Sequence, residues 1–366
     1  MELALYDDEF GYYARAAQRS GRAGDFFTSV DVGPVFGTLL AIQIAEMAAI
    51  LQSPVSSPES PVSHQPSVDL VEAAAGNGRL SADVLRAIRR RDRALYDRLR
   101  LHLVDVSPGA RAAQRESLGD VADRLATSGA NVPRSFEGVL FANELIDALP
   151  THQVVMREDG LREIYVAAER LATGDWRLMT TEGPPSTPAL AEYLARLNIV
   201  LEPGWRVEIN LRAVEWMRSA IRSLQRGFVI LIDYGHPARE LYSVTHASGT
   251  LTAYTRHTMA GSERPSDRPG WLERAGEQDI TSHVDFTSLQ QAAEAEGATA
   301  LGFLDQTYFL LGLGAAELDE SDLKTRLALK TLLMPGGLGS TLKVLMLGKH
   351  VGSPTLKGCS FRVRVT

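Results

Sequence analysis

The chain has 366 residues, of which 45% are hydrophobic and 23% charged, a composition typical of a globular protein. Its formal net charge of −7 argues against a general nucleic-acid binder, which would present a basic surface. With one cysteine, Cys359, an intrachain disulfide and a cysteine metal site are excluded. No two of the eight histidines stand at zinc-ligand spacing, so we expect no metal site.

No run approaches the roughly 18 to 20 apolar residues that cross a membrane, so no membrane span is expected. The N-terminal stretch MELALYDDEFGYY is acidic and aromatic, unlike a signal or transit peptide, which favours a cytoplasmic protein. Along the chain, a helix is predicted from Pro34 to Leu51, because proline suits a first helical turn. Ser53 to Ser67 is rich in serine and proline and is predicted to be a surface loop.

The segment Val68 to Ile88 is typical of a buried strand, a glycine turn and a helix. Its glycines, Gly76 and Gly78, allow a ligand to approach the backbone closely. The helix carries an apolar stripe, and the strand LHLVDVS follows with Asp105 at its end. The basic run from Arg86 to Arg100 is best interpreted as a solvated helix face. This order of elements predicts a nucleotide-type pocket in a doubly wound α/β sheet.

Two classes of cofactor fit this turn. A dinucleotide site needs a third small residue, which Ser81 provides. S-adenosylmethionine (SAM) sites more often have an acid at the end of the first strand and a looser glycine loop. Glu72 suits the cationic methionine end of SAM, and Asp105 suits the ribose hydroxyls. A motif of this kind leaves both cofactors open, together with a purely structural turn.

Further buried strands are predicted from Phe136 to Asn143 and from Phe228 to Tyr234. Between them, roughly Thr151 to Trp205 is predicted to form a small accessory lobe. An amphipathic helix is expected from Phe286 to Glu296, followed by the strand ATALGFL. The last strand is expected from Leu342 to Gly348, in an antiparallel direction.

Polar residues follow several of these strands at one sheet edge. In FANELIDALP, Asn143 ends a strand, and Glu144 and Asp147 share a face if a helical turn begins there. Two carboxylates can bind a guanidinium by charge-assisted hydrogen bonds. A capped, solvated turn is the alternative. Asp233 ends the most apolar strand.

The phrase GDFFTS supplies Asp25, Thr28 and Ser29, which either line a ligand lid or cap a turn. Two histidines, His257 and His283, are candidate general bases. A structural or substrate-shaping role is the preferred interpretation for both, because neither stands beside an obvious nucleophile.

Phrases along nearly the whole chain resemble the MidA-like family of SAM-dependent methyltransferases. They are MELALYDDEFGYY, GDFFTS, the glycine loop, ANELIDALP, LIDYGH, GTLTAYTRH, GEQDITSHVDF and LGSTLKVL. The mitochondrial members are arginine methyltransferases that assist assembly of respiratory complex I by modifying a subunit of its iron–sulphur arm. Ala74 and Ala75 stand where the family usually has glycine and proline, and alanine disfavours a positive φ.

The resemblance implies a seven-stranded class I methyltransferase sheet, mostly parallel, with an accessory lobe. It implies that SAM is the cofactor and that the substrate is an arginine of a partner protein. A group of residues is expected to hold SAM: Asp25, Thr28, Ser29, Glu72, Gly76, Gly78 and Asp105. A second group is expected near the reacting atoms: Asn143 beside the methyl group, Glu144 and Asp147 on the guanidinium, and Asp233 for proton removal.

The expected domain organisation has three parts. Residues 1–150 form a lid and the first half of the SAM-binding domain, 151–205 form the substrate lobe, and 206–366 form the second half with substrate-shaping segments. Two alternative functions stay open, a SAM-binding assembly or adaptor protein and a dinucleotide-dependent oxidoreductase. The sequence does not fix the oligomeric state, and a homodimer is one open alternative.

Overall fold

The computed structural model describes residues 1–15, 28–52, 67–255, 258–260, 269–318, 322–334 and 338–361. The strands in chain order are β1 (Val68–Ala73), β2 (Leu99–Val104), β3 (Leu125–Gly129), β4 (Phe136–Asn143), β5 (His152–Arg157), β6 (Gly160–Arg170), β7 (Trp176–Gly183), β8 (Arg206–Ile209), β9 (Leu224–His236), β10 (Thr252–Thr255), β11 (Thr258–Ala260), β12 (Asp279–Thr281), β13 (Val284–Asp285), β14 (Thr299–Asp305) and β15 (Leu342–Lys349).

The α-helices are α1 (Glu2–Tyr6), α2 (Tyr12–Arg15), α3 (Pro34–Gln52), α4 (Arg79–Arg91), α5 (Arg93–Arg98), α6 (Pro108–Leu118), α7 (Ala189–Arg196), α8 (Leu211–Ser223), α9 (Ala238–Leu241), α10 (Phe286–Ala295), α11 (Gln306–Gly312), α12 (Leu323–Leu333) and α13 (Leu338–Thr341). Short 3-10 helices cover Ser29–Val32, Gly119–Arg124, Val244–His246, Gly270–Leu272, Ala315–Glu317 and Lys357–Cys359.

The chain divides into two compact units. The first unit contains the described parts of Met1–Phe27, Ile146–Trp216 and Tyr234–Gln291. The second unit contains those of Thr28–Leu145, Met217–Asp233 and Ala292–Thr366. The functional division predicted at residues 150 and 205 stays a prediction.

Seven strands of an eight-stranded sheet follow the order β14-β15-β9-β4-β1-β2-β3 and form the centre of the second unit, and the eighth strand, β13, pairs with the end of β9. From β9 to β3 each strand runs parallel to its neighbour, and β14 is antiparallel to β15. The predicted doubly wound, mostly parallel α/β sheet is therefore confirmed. Its strand order reverses at β1, which pairs with β2 on one side and β4 on the other. Ligands of such sheets bind at this switch point, outside the carboxyl ends of the strands.

The apolar runs account for the central strands. Leu70 in β1, Val139 in β4 and Ile230 in β9 are fully buried, as expected where helices cover both faces of a parallel sheet. The predicted bounds of β4 are confirmed, and β9 extends beyond the predicted Phe228–Tyr234 at both ends. The predicted apolar stripe of α4 is buried. On its other face, Arg86 and Arg89 bind Asp120, consistent with a solvated helix face.

Two small antiparallel sheets lie in the first unit, one with the order β7-β6-β5-β8 and one with the order β11-β10-β12. Leu5 and Tyr12, from α1 and α2, pack with Ala253 and Ile280 of the second sheet. The last residues of β9 also pair with β13, which places Gly235 opposite Val284 and His236 opposite Asp285.

Helix α3 corrects one expectation from the sequence. Among the described residues, its 19 residues are long and apolar enough to cross a membrane, with a mean hydropathy of 1.7. However, 61% of this window is buried inside the protein, as in the core helix of a globular fold. Because most of the helix is buried inside the protein, its length and apolar composition are only weak evidence for a membrane span.

Candidate active site

The glycine loop joins β1 to α4 at the switch point of the sheet. Gly76 and Gly78 have φ values of 52° and 83°, a left-handed region that favours glycine. A Cβ on Gly78 would stand 2.8 Å from the Leu103 side chain. A Cβ on Gly76 would have no described atom within 4 Å. One side of Gly76 is therefore open to a ligand.

Asp105 fixes the position of this loop. The Gly76 amide donates to Oδ2 of Asp105 at 2.8 Å, and the Ser107 amide donates to Oδ1 at 2.8 Å. A carboxylate has about four lone-pair sites, so these two bonds leave acceptor capacity for hydroxyl groups of a ligand. Asp105 thus stands where the sequence predicts a ribose-binding acid.

Gln114 of α6 is a residue that the sequence analysis missed. Its side chain is fully buried, and its amide nitrogen donates to the Gly76 carbonyl oxygen at 2.9 Å. Ser128 donates to its side-chain oxygen at 2.6 Å. The sequence does contain a signal for it. Gln114 is four residues from both Ala110 and Leu118, so it lies on the same buried face of α6 as these two apolar residues.

We expect Asp105→Ala to weaken SAM binding by about 10-fold to 100-fold. The change removes charge-assisted hydrogen bonds worth roughly 1.5–3 kcal/mol and releases the Gly76 amide. Titration calorimetry with SAM measures the effect. Asp97→Ala is the control, because Asp97 is an acid of the same unit that pairs with Arg93 at the surface. Equal affinities in the two variants would remove Asp105 from the cofactor site.

Glu72 lies at the end of β1 and is buried. Its carboxylate accepts hydrogen bonds from both the backbone amide and the hydroxyl of Ser81, so it ties β1 to the first turn of α4. Burial raises the pKa of Glu72 to about 8, although the bonds from Ser81 act in the opposite direction. At neutral pH the carboxyl group is therefore largely protonated. Its predicted contact with the methionine end of SAM stays a prediction.

The raised pKa of Glu72 predicts a pH effect on stability. Between the ordinary pKa of 4.5 and about 8, the folded state holds a proton that the unfolded state has lost. Stability from this group is complete below pH 4.5 and falls by up to about 1.4 kcal/mol per pH unit as the pH rises through this window. Glu72→Gln keeps the acceptor for Ser81 and removes the titration.

The free energy of unfolding, measured in urea at pH 5 and pH 8, should therefore fall less in Glu72→Gln than in the unchanged protein. Glu137→Gln, an exposed change on β4, should leave the pH dependence as it is. Parallel pH dependence in all three proteins would contradict a protonated Glu72.

Ala74 adopts the left-handed conformation that its sequence position suggests, with φ of 55°. An L-residue loses roughly 1–2 kcal/mol in this region, and glycine loses little there but is more flexible when unfolded. We expect Ala74→Gly to raise the free energy of unfolding by about 0.5–1 kcal/mol, measured in urea. Ala73→Gly, in the regular strand β1, should lower it. A loss of stability in both variants would show that Ala74 is unstrained.

Two of the three residues predicted to line a lid, Thr28 and Ser29, precede α3. Thr28 caps the 3-10 helix Ser29–Val32, where its amide and hydroxyl both donate to Asp31 at 3.0 Å. Ser29 is fully buried and donates to the side-chain oxygen of Gln306 at 3.0 Å. The capped-turn alternative thus describes both side chains in this structure, and their action over SAM stays a prediction. Asp25 lies outside the described residues.

Asn143 is the last residue of β4, and Glu144 follows it, at the sheet edge where β1 enters the glycine loop. The register pairs Ala142 with Ala73, the last residue of β1, so Asn143 extends one residue beyond β1 and pairs there with Ile232 of β9. The Asn143 amide nitrogen donates to Glu144 at 2.9 Å. Its oxygen Oδ1 is buried and accepts no hydrogen bond from the described residues. A buried acceptor without a donor costs about 1–3 kcal/mol, so this oxygen points to a ligand N–H or O–H.

Glu144 has φ of 53°, which is rare for a residue with a side chain and is typical of functional sites. Contacts with β9 hold this conformation. The Glu144 amide donates to the Ile232 carbonyl oxygen at 2.8 Å, and the Leu145 amide donates to Oδ2 of Asp233 at 3.1 Å. Asp233 is buried and positions this turn, while its role in proton removal stays a prediction.

The helical turn that would put Glu144 and Asp147 on one face does not form, because the left-handed backbone at Glu144 directs the chain elsewhere. In the first unit, Asp147 accepts a hydrogen bond from the Thr281 hydroxyl at 2.8 Å. Burial raises the pKa of Asp147 to about 6 despite this bond. A contact of Asp147 with a guanidinium stays a prediction.

The two candidate general bases differ in what can be said of them. His257 lies outside the described residues. His283 has its pKa lowered to about 4 by burial and by the neighbouring His236 and His246, so it is a neutral imidazole at pH 7. A role of His283 as a general base stays a prediction.

Comparisons with known proteins identify the family. Residues 39–304 match the profile of a family of S-adenosyl-L-methionine-dependent methyltransferases. The chain belongs to this family, the MidA-like methyltransferases. The MidA-like chain is therefore a SAM-dependent methyltransferase.

Solved structures agree with this assignment. A Burkholderia thailandensis protein bound to S-adenosyl-homocysteine is 29% identical, with a TM-score of 0.81 over 98% of the MidA-like chain and 88% of its own. A native structure from the same organism has a TM-score of 0.79 with the same identity and coverage. The cofactor is thus SAM rather than a dinucleotide, and the class I methyltransferase fold is confirmed.

Curated relatives share lower identity. The mitochondrial protein arginine methyltransferase NDUFAF7 of Danio rerio is 27% identical over 342 residues, which cover 86% of this MidA-like chain and 72% of the relative. Its Homo sapiens counterpart is 25% identical, with coverage of 86% and 68%.

The residues present fit SAM. The open side of Gly76 leaves room for the ligand, and Asp105 has acceptor sites that its hydrogen bonds from the described residues leave unfilled. Both lie at the carboxyl edge of β1 and β2, in the second unit.

Proposed function

We propose that this methyltransferase modifies an arginine side chain of a partner protein. The observation that carries the proposal is the pair Asn143 and Glu144, a buried oxygen without a donor next to a carboxylate, beside the glycine loop. A guanidinium has five N–H donors and a permanent positive charge, and this pair offers an acceptor and a negative charge. The names of the curated relatives favour the same substrate.

Methylation of a guanidinium requires two things from the protein. The cation is a poor nucleophile, because its pKa exceeds about 12 and its nitrogen electrons are delocalised. Bound SAM would supply the methyl group: its S–CH3 bond breaks as an N–CH3 bond forms, and S-adenosyl-homocysteine leaves. The guanidinium nitrogen loses one proton, for which Asp233 is the proposed acceptor. Glu144 would hold the guanidinium and draw its positive charge away from the attacking nitrogen, and Asn143 would orient an N–H group. Alignment of this kind accounts for much of the catalytic effect in group transfer.

The purified methyltransferase and radiolabelled SAM, added together to a lysate of cells lacking this protein, test the proposal. The labelled protein is identified, and its hydrolysate is analysed for methylarginine. The resemblance seen in the sequence makes a subunit of respiratory complex I the first candidate. Label on another residue type overturns the arginine assignment. Tight SAM binding without any label favours an assembly or adaptor protein.

Cell fractionation tests the cytoplasmic location, which stays a prediction. Light scattering of the purified protein tests the open homodimer alternative.

A further inference from the structure

Three histidines converge in the first unit from separate segments. His236 ends β9, His246 ends the 3-10 helix Val244–His246, and His283 precedes β13. The ring centroids of His236 and His246 are 4.7 Å apart. The ring centroid of His283 lies 5.3 Å from that of His236 and 5.9 Å from that of His246. One ring nitrogen from each residue lies within 4.8 Å of the others. Histidine is the commonest metal ligand, and three rings that converge in this way match a histidine metal site.

Glu240 orients two of these rings. The Nδ1 atom of His236 is 2.7 Å from Oε1 of Glu240, and Nδ1 of His246 is 3.0 Å from the Glu240 backbone oxygen. Both partners are acceptors, so Nδ1 is the donor in each of these two contacts. A carboxylate or carbonyl behind the imidazole is the arrangement that orients metal-ligating histidines.

His283 is also held in place. Its backbone amide donates to the Thr250 hydroxyl at 3.0 Å. Its Nδ1 atom is buried, and no described residue forms a hydrogen bond with it. A buried ring nitrogen without a partner indicates a missing water or ion. This observation is independent of the closeness of the three rings.

We propose that His236, His246 and His283 bind one divalent transition-metal ion, with Zn²⁺ as the best match. Three imidazoles suit zinc, and they leave the fourth tetrahedral position to water or another small ligand. Tetrahedral Zn–N bonds of 2.0–2.1 Å place nitrogens about 3.3 Å apart, which small rotations of these side chains supply. The ion would join the end of β9, the 3-10 helix and β13. These three ligands are far apart along the chain, so their spacing in the sequence does not indicate a metal site.

Titration calorimetry of Zn²⁺ into the tag-free, EDTA-treated full chain tests the site. We expect one ion per chain and a higher melting temperature with the metal bound. His236→Asn, His246→Asn and His283→Asn should each weaken binding by at least 10-fold, because each removes a ligand. Glu240→Gln should weaken it by about 10-fold, the effect of losing an outer partner. His350→Asn is the matched control, since His350 bonds to the Gln225 carbonyl oxygen in the second unit.

A spectroscopic measurement complements the calorimetry, and several outcomes would contradict the proposal. Co²⁺ bound to the unchanged protein should give the visible spectrum of a tetrahedral, nitrogen-ligated ion, which requires no variant to fold. Absence of stoichiometric Zn²⁺ binding overturns the proposal. Binding that survives the three histidine substitutions, or that His350→Asn abolishes, places the ion elsewhere and overturns it as well.

Discussion

Gly76→Val should abolish SAM binding, with a loss of at least 100-fold in affinity, while the protein stays folded. The φ of 52° at Gly76 disfavours a β-branched residue. The new side chain would also enter the open space beside the loop, where we expect the cofactor to lie. Titration calorimetry with SAM and with S-adenosyl-homocysteine measures the loss, and circular dichroism checks the fold.

Gly174→Val is the matched control for this substitution. Gly174 has φ of 92° and also has no described atom near an added Cβ, but it lies in the turn between β6 and β7. Both variants should lose similar stability, because both strain a left-handed backbone. If Gly76→Val binds SAM as well as Gly174→Val does, the glycine loop is not the cofactor loop.

Glu144→Gln should lower the rate of methyl transfer by about 10-fold to 100-fold and leave SAM affinity nearly unchanged. Glutamine keeps the shape and the acceptor for Asn143, but it removes the charge that binds and polarises a guanidinium. A charge-assisted hydrogen bond is worth roughly 1.5–3 kcal/mol, which gives this range of rates. Turnover on the labelled partner and SAM affinity should be measured together.

Glu137→Gln separates this effect from a general loss of charge. Glu137 lies near the other end of the same strand, is exposed, and pairs with Arg226. This variant should keep full activity. If Glu144→Gln keeps full activity, the guanidinium contact is ruled out. If Glu144→Gln loses SAM binding, Glu144 belongs to the cofactor site.

The central sheet could be predicted because its signal is local. Strand β4 is apolar apart from Glu137 and ends in polar residues, and its predicted bounds from Phe136 to Asn143 agree with the structure. The antiparallel β15 and the helix α10 were also predicted within one residue at each end. Strand β9 is longer than its apolar run, because its outer residues pair with neighbours that the local sequence does not reveal.

The candidate site was less predictable because tertiary contacts define it. The positive φ of Glu144 depends on bonds to Ile232 and Asp233, from a strand far along the chain. Gln114 resembles any solvated helical residue until its face of α6 is known to be buried. Glu72 was predicted as a cofactor contact, but the burial that raises its pKa, and the bonds from Ser81 that oppose this rise, follow from how α4 packs on β1.

The insertion of residues 144–223 between β4 and β9 has a consequence for how the chain folds. These two strands are neighbours in the sheet, although that whole segment separates them in sequence. Pairing them closes a long loop before any contact compensates the lost entropy, which slows folding. The hairpin contacts of β5, β6 and β7 are local by comparison. During synthesis, β1, β2 and β4 therefore leave the ribosome well before β9 and wait with one edge of the sheet unpaired, the state most exposed to aggregation.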